Sequence, residues 1–254
     1  MDNVYHSRFT EVSKVFSNRK LLTIQSLVND LETTEEVLGF QFWLSDEVGK
    51  LTILHKKEWE NIQKQLSHQL YDRNLHYLFA SYELACAGLC DPSYNNIRTV
   101  HESIIKMYFL WAFPETANNV LNDMEPIRRP EFGHEAMINK LYSVKLQESM
   151  RQQFRELSGK SHSNYTGIAT TLRYSVDQIK DCLWFIRTLS FYNIITEMEN
   201  QSSTSTIIEL PLAEKVGEYL EKLRKNLTAG TGTMATYFPD IPTLASKLKI
   251  RIDV

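Results

Sequence analysis

The stretch Leu172-Arg-Tyr-Ser-Val-Asp-Gln-Ile-Lys-Asp-Cys-Leu-Trp-Phe-Ile-Arg-Thr-Leu189 decides the fold. Its apolar residues recur at intervals of three or four, as on one face of an α-helix: Leu172, Val176, Ile179, Leu183, Ile186 and Leu189. Aromatic side chains at Trp184, Phe185 and Phe191 widen this face. A helix that is apolar over so much of its circumference is buried. The sequence therefore predicts the longest helix here, at the centre of the core.

A predicted helical hairpin precedes this central helix. Residues 58–89 carry apolar side chains at helical spacing, and Asp91-Pro92 is predicted to stop that helix. Asn95-Asn96 is a suitable cap for a second helix, which ends before Pro114. Because the connection between the two predicted helices is short, we expect the helices to lie side by side.

The chain between the hairpin and the central helix contains one more predicted helix. Residues 114–132 include three prolines and indicate a connection. A helix fits residues 134–157, and Ser158-Gly159-Lys160-Ser161 is predicted to interrupt it. Together these segments predict a mainly α-helical bundle over residues 56–200.

The front segment, residues 1–55, is acidic, with five Lys and Arg against eight Asp and Glu. Helical patterns cover about 5–16 and 20–31, and Thr33-Thr34-Glu35-Glu36 suits the start of a third helix. Two interpretations of residues 40–54 stay open. They continue the helix, or they form a small β-hairpin in which Phe40, Phe42 and Leu44 alternate.

Three helices and a hairpin are the outline of a winged-helix module. A winged-helix module that binds DNA needs a basic recognition helix. The third predicted helix of this segment instead begins with Glu35 and Glu36. DNA is therefore not the expected partner. Residues 201–254 are predicted to be an appendage, with an amphipathic helix at 213–226 and two short strands at 207–210 and 248–254.

Composition places the chain among ordinary globular proteins, with 43% apolar and 23% charged residues. Its net charge of −3 offers no global attraction to nucleic acid or to anionic membranes. No secretory signal and no apolar run of spanning length are found, so a cytoplasmic protein without membrane insertion is predicted. The three cysteines, Cys86, Cys90 and Cys182, are predicted to be buried thiols rather than metal ligands.

Two polar constellations interrupt the apolar patterns. In the first, Arg98 and Glu102 lie one turn apart with His101 between them, and Arg73 and His76 lie on the preceding helix. If the two helices are antiparallel neighbours, these residues form a polar seam that suits an anion. The alternative is that Arg98 and Glu102 are an ion pair that only solvates a face or fixes helix register.

The second constellation surrounds residues 155–165. Arg155, Lys160, His162 and Tyr165 lie before and at the start of the predicted central helix, and helix N-termini attract anions. A histidine there suits proton transfer near neutral pH, and a cation suits stabilisation of a phosphate. The alternative is structural, with a serine as helix cap and His162 as an ordinary turn residue.

Three segments resemble a known family: Arg73-Asn-Leu-His-Tyr-Leu-Phe-Ala-Ser-Tyr-Glu-Leu-Ala85, Ile97-Arg-Thr-Val-His-Glu102 and Leu157-Ser-Gly-Lys-Ser-His162. The family is a prokaryotic one known only as a domain of unknown function, and it is related to HEPN-like helical proteins. The resemblance covers roughly residues 56–200 and implies a HEPN-like bundle.

The resemblance also implies a function. HEPN ribonucleases use an Arg and a His, separated by four to six residues, to cleave RNA without a metal, often at a dimer interface. Arg155 and His162 have that spacing. The expectation is a homodimer that binds RNA or a nucleotide-like anion, without a cofactor, in a cleft lined by Arg98, Glu102 and His162. The alternative function is a non-catalytic protein-interaction or regulatory protein, with residues 1–55 contacting the partner.

Overall fold

The computed structural model describes residues 4–54, 61–117, 133–142, 144–161, 175–202 and 210–228. These ranges contain eight α-helices and a 3-10 turn at Pro114–Thr116, and none of their residues lies in a strand. The helices are α1 (Val4–Ser26), α2 (Val28–Leu54), α3 (Ile62–Cys86), α4 (Cys90–Ala112), α5 (His134–Leu141), α6 (Val144–Ser161), α7 (Val176–Ser202) and α8 (Leu210–Thr228). The prediction of a mainly α-helical bundle is confirmed.

Helix α7 lies at the centre of this bundle. It packs against α1, α2, α3, α4 and α8. Every residue from Thr188 to Gln201 is buried, which confirms the predicted central position. Its length of 27 residues is shared by α2, so the central helix is not longer than all others. The apolar stripe read from the sequence is in the core, with Ile179, Leu183 and Ile186 fully buried.

Helices α3 and α4 form the predicted hairpin, but the turn differs from the prediction. Gly88 has a φ of 73°, and the N–H of Leu89 donates to the carbonyl of Leu84 at 2.8 Å, which together end α3. Pro92 does not stop a helix; it lies in the first turn of α4. Proline is tolerated there because a first-turn N–H has no partner within the helix.

The β-hairpin predicted near residues 40–54 is wrong, because α2 runs through all of them. The buried residues of this part of α2 are Gln41, Leu44 and Val48, which are spaced by three or four. That is helical spacing, whereas the alternation read from the sequence would have buried Phe42, which is 40% exposed. Without the hairpin, the described residues lack the outline of a winged-helix module.

Helix α1 is one helix where the sequence predicted two, and its break from α2 lies at Leu27. Near its end, the hydroxyl of Thr23 donates to the carbonyl of Cys86 at 3.0 Å, and Lys20 forms a 2.7 Å ion pair with Glu83. α2 shares the hydrophobic core of the bundle through residues such as Leu44. The boundaries predicted at residues 55 and 200 stay predictions.

The helix predicted at 134–157 is divided differently in the structure. α5 ends at Leu141, and α6 continues through Ser158 and Gly159 to Ser161, so the predicted interruption at 158–161 is wrong. Helix α8 confirms the helix predicted at 213–226. Both predicted strands lie outside the described residues, except that Leu210 begins α8. No helix in the described part of the chain is long and apolar enough to cross a membrane.

Candidate functional site

The predicted pair of Arg98 and Glu102 is present on α4. The Nε of Arg98 donates to Oε1 of Glu102 at 3.1 Å, one helical turn away. The guanidinium carbon also lies 4.6 Å from the centre of the Phe154 ring on α6. A cation at this distance from an aromatic face is attracted to it. Arg98 is therefore held by a carboxylate on one side and by an aromatic ring on the other.

His101 turns inward from the same helix and meets a second histidine. Its ring is fully buried and lies 5.8 Å from that of His134, the first residue of α5. Phe154 of α6 packs against His134, with ring centres 4.4 Å apart. The three helices α4, α5 and α6 thus enclose two imidazoles and one phenyl ring directly beneath Arg98.

Both of these histidines are neutral near pH 7. Burial, with help from the neighbouring His134, lowers the pKa of His101 to about 3. Burial, and the positive charges of Arg98 and Lys106, lower the pKa of His134 to about 4. A pair that is neutral at this pH contributes no positive charge to an anion site. The positive charge near these rings therefore comes from Arg98 and Lys106.

Arg73 and His76 lie on the exposed side of α3 and point to different neighbours. Nη2 of Arg73 donates to the hydroxyl of Ser103 on α4 at 3.1 Å. The His76 ring instead lies 6.2 Å from that of Phe42 on α2. Phe42 also meets Phe79 edge-on at 6.2 Å, and the two phenylalanines are 40% and 45% exposed. Only Arg73 reaches toward α4, so the polar seam expected from the sequence does not include His76.

The predicted catalytic pair is described only in part. Arg155 has a side chain that is 64% exposed and forms an ion pair with Glu148 on the same helix. Lys160 belongs to α6, but its side chain is not described, and His162 and Tyr165 lie outside the described residues. The roles predicted for Arg155, Lys160, His162 and Tyr165 stay predictions.

A buried carboxylate on α7, which the sequence interpretation did not identify, organises a second polar cluster. Glu197 is fully buried, and its carboxylate accepts hydrogen bonds from Ser67 (2.7 Å), His68 Nδ1 (3.0 Å) and Gln201 (2.9 Å). His68 Nε2 lies 3.7 Å from Asp72 at the surface. Burial opposes protonation, but the hydrogen bond and charge of Glu197 and the charge of Asp72 outweigh it, so the pKa of His68 is raised.

This cluster does not have the arrangement of a nucleophile with its base. The Ser67 hydroxyl donates to Glu197 and not to His68, so the imidazole does not accept the serine proton. The cluster instead forms a hydrogen-bonded connection from Asp72 at the surface to Glu197 in the core.

A third set of polar residues joins α7 to α2 and α3. The amide of Asn193 donates to Oε1 of Gln41 at 2.9 Å and accepts from Asn74 at 2.9 Å. Gln41 in turn donates to Ser190 at 2.8 Å. The sequence contained a signal for both clusters, because Ser190, Asn193, Glu197 and Gln201 are polar at helical spacing within an apolar helix.

An open groove of about 480 Å³ lies between α2 and α8. Its floor is a stacked pair of rings, Phe40 and Tyr219, with centres 3.7 Å apart. Lys222 and Glu36 form a 2.5 Å ion pair across the rim. Two pairs of lining residues, Phe40 with Tyr219 and Glu36 with Lys222, thus contact each other.

The described residues contain no group of three His, Cys, Asp or Glu side chains that would hold a metal ion. Comparison with protein-family models, with curated proteins and with solved structures finds no match. The HEPN-like resemblance therefore stays a prediction.

Proposed function

We propose that the protein binds RNA or a nucleotide-like anion on the exposed side of α2, α3 and α4. The observation that carries the proposal is the pair of exposed rings, Phe42 and Phe79, beside His76 and Arg73. Proteins that bind single strands combine aromatic rings, on which bases stack, with cations that follow the phosphates. We name the residues Phe42, Arg73, His76 and Phe79 the aromatic–basic surface.

We include Arg98 in the proposed site as a second cation, because it lies on α4, the helix whose Ser103 Arg73 contacts. The ring of Phe154 and the carboxylate of Glu102 restrict its guanidinium, which reduces the entropy lost when a phosphate binds. The net charge of −3 gives no general attraction to RNA. Stacking and local cations must therefore supply the affinity.

The sharper form of the proposal is RNA cleavage without a metal. His162 would transfer the proton of a ribose 2′-hydroxyl or of the leaving oxygen, and Arg155 or Arg98 would stabilise the charge on the phosphorus centre. This form rests on the HEPN-like resemblance and on the spacing of Arg155 and His162.

Replacing Phe42 and Phe79 together by alanine is expected to weaken binding of a fluorescein-labelled single-stranded RNA by at least tenfold, because each stacked base contributes about 1–3 kcal/mol. Fluorescence anisotropy at low and moderate salt measures the change. Val12→Ala with Leu22→Ala is the matched control, since both side chains are similarly exposed but lie on α1.

A second pair of variants tests Arg98 in the same assay. Arg98→Ala should reduce affinity, whereas Arg224→Ala should not, although Arg224 forms a comparable ion pair with Glu221 within α8. The same RNA, followed on a gel with EDTA present, reports cleavage. Cleavage that is unchanged in His162→Ala, or absent from the wild type, rejects the nuclease form. No binding by the wild type rejects the whole proposal.

A second candidate function is protein interaction through α1 and the start of α2, because apolar exposure concentrates there. Nine large hydrophobic side chains are exposed in the described residues, and six belong to this segment: Val12, Val15, Leu21, Leu22, Ile24 and Val28. Concentrated apolar exposure is typical of interaction surfaces. A second copy of the chain would make this the predicted homodimer.

In the homodimer form, light scattering after size exclusion should give twice the chain mass of 29.6 kDa. Leu21→Glu with Leu22→Glu should return the monomer mass, because charge within an apolar interface is costly. Ile62→Glu is the control, since Ile62 is also exposed but lies at the start of α3. A monomeric wild type at about 50 µM, well above the Kd of a stable dimer of about 1 µM or tighter, contradicts the homodimer.

A further inference from the structure

Helices α1 and α3 contact each other in one constant register. Nζ of Lys20 lies 2.7 Å from Oε2 of Glu83, and the Thr23 hydroxyl donates to the carbonyl of Cys86 at 3.0 Å. In both pairs the two residues are 63 positions apart in the chain. Because each helical residue advances by the same rise, a constant difference means that the two helices run in the same direction where they touch.

Phe16 and Phe79 occupy the next position of the same register. Phe16 lies four residues before Lys20, and Phe79 lies four residues before Glu83, so the two phenylalanines follow the pairing of the ion pair. Residues four apart lie on the same face of a helix. The face of α1 that meets α3 at Lys20 therefore continues to Phe16, and the face of α3 that meets α1 continues to Phe79.

Both phenylalanines stay partly uncovered in the described arrangement. Phe79 is 45% exposed, and its ring meets that of Phe42 on α2 edge-on at 6.2 Å. Phe16 is partly buried, and the guanidinium carbon of Arg19 in its own helix lies 5.9 Å from the centre of its ring. Residues 10–15 of α1 are all exposed. The contact between α1 and α3 is therefore incomplete from Phe16 toward the N-terminus.

Completing this contact is favourable for α1. Isolated helices shorter than about 12–15 residues are only marginally stable in water, and most helices in proteins are stabilised by packing an apolar face. Packing the Phe16 and Phe79 rings together removes apolar surface from water. The break between α1 and α2 lies at Leu27, whose side chain is buried in the bundle. Hinges lie at such element ends, so a rotation at Leu27 brings Phe16 toward α3.

We propose that α1 is a hinged cover for the aromatic–basic surface. In the free protein α1 rotates about Leu27, Phe16 packs on Phe79, and the rings of that surface are shielded from solvent. The described arrangement is the open form, to which RNA binds. The movement of α1 does not depend on RNA, whereas its regulatory role rests on the proposed function.

Disulfide cross-linking tests the movement without RNA. The double variant Phe16→Cys with Phe79→Cys is treated with diamide, a mild oxidant of thiols, and is analysed on a non-reducing gel and by peptide mapping. The three native cysteines are buried, so the introduced pair is the accessible one. It should form a link within one chain, and dithiothreitol should reverse it.

Leu21→Cys with Phe79→Cys is the matched control for the cross-link. Leu21 is 58% exposed on α1, but it lies five residues from Phe16 and therefore on another side of the helix. Two cysteines do not bridge when their Cα atoms are more than about 7 Å apart, so the control should link at least about tenfold more slowly.

The regulatory role is tested by opening the cover. Lys20→Glu replaces an exposed ion pair with two carboxylates that repel each other, so α1 should open and labelled single-stranded RNA should bind at least about threefold more tightly than to Lys14→Glu. Lys14→Glu makes the same charge change at an exposed position of α1. Circular dichroism first checks that both variants keep the helicity of the wild type.

The outcomes separate the cover from the proposed function. A link in the double variant that is no faster than in the control overturns the proposal, as does a link that joins two chains. Equal RNA affinity of Lys20→Glu and Lys14→Glu overturns the regulatory role. If the link forms within one chain but the wild type and both charge variants fail to bind RNA, the movement of α1 is supported and the proposed function is rejected.

Discussion

Replacing His68 by alanine is expected to destabilise the protein by about 3–5 kcal/mol, because it leaves a buried carboxylate without its charge partner. Glu197 is fully buried, and His68 donates to it at 3.0 Å. Ser67 and Gln201 also donate to the carboxylate but carry no charge. Urea unfolding at pH 6 measures the loss.

His76→Ala is the matched control for this prediction. His76 is exposed on the same helix and donates only to the carbonyl of Asp72 in its own helix, so its loss should cost less than about 1 kcal/mol. In the His68→Ala background, Glu197→Gln should recover part of the stability because it removes the unpaired charge. If His68→Ala costs no more than His76→Ala, the pair does not stabilise the fold.

The same pair predicts the direction of a pH effect. Because the folded-state pKa of His68 is raised above the unfolded value of about 6.5, its contribution is complete below that pH. It is lost as the pH rises through the raised folded-state pKa. The free energy of unfolding should therefore fall on this alkaline side in the wild type, and less in His68→Gln.

The two histidines near Arg98 change the free energy of unfolding in the opposite direction, and they do so in a different pH range. The pKa values of His101 and His134 are lowered to about 3 and about 4, so the unfolded chain binds protons more readily than the folded one. Their contribution is lost as the pH falls below about 6.5. The difference between the wild type and His68→Gln above pH 6.5 therefore reports His68 alone.

Asn193→Ala is expected to cost about 2–6 kcal/mol, because it leaves two buried polar groups without their partners at about 1–3 kcal/mol each. Asn193 donates to Gln41 and accepts from Asn74. These bonds join α7 to both α2 and α3. The free energy of unfolding, from urea titration followed by circular dichroism, measures the change.

Thr196→Val is the control for Asn193. Its hydroxyl is also buried on α7, but it donates only to carbonyls of its own helix, those of Tyr192 and Asn193. Those carbonyls keep their helical hydrogen bonds when the hydroxyl is lost, so the cost should stay below about 1.5 kcal/mol. Equal costs for the two variants would show that the contacts between helices add nothing to stability.

Most helices were predictable because their signal is local. The stripe through Ile179, Leu183 and Ile186 follows from backbone geometry, which returns every third or fourth residue to one side. Residues 40–54 were ambiguous because a short apolar run fits both the helical period of about 3.6 residues and the strand period of two. The structure resolves the ambiguity through Gln41, whose hydrogen bond to Ser190 on α7 fits the helical alternative.

In the candidate site too, contacts within one helix were predictable and contacts between helices were not. The Arg98–Glu102 pair was predictable because its members are one turn apart on one helix. Phe154 and His134 were not associated with it, since they come from other helices and no local pattern links them to α4.

The sequence by itself determined that this protein is helical, where most of its helices lie and that α7 is central, because helix periodicity is fixed within about four residues. Only the tertiary structure decided which polar residues are buried and what they bind. His68 and Glu197 are separated by 129 positions, and Gln41 and Ser190 by 149. Burial removes such groups from water, so each must find a partner, and the packing of the helices alone determines which partner is within reach.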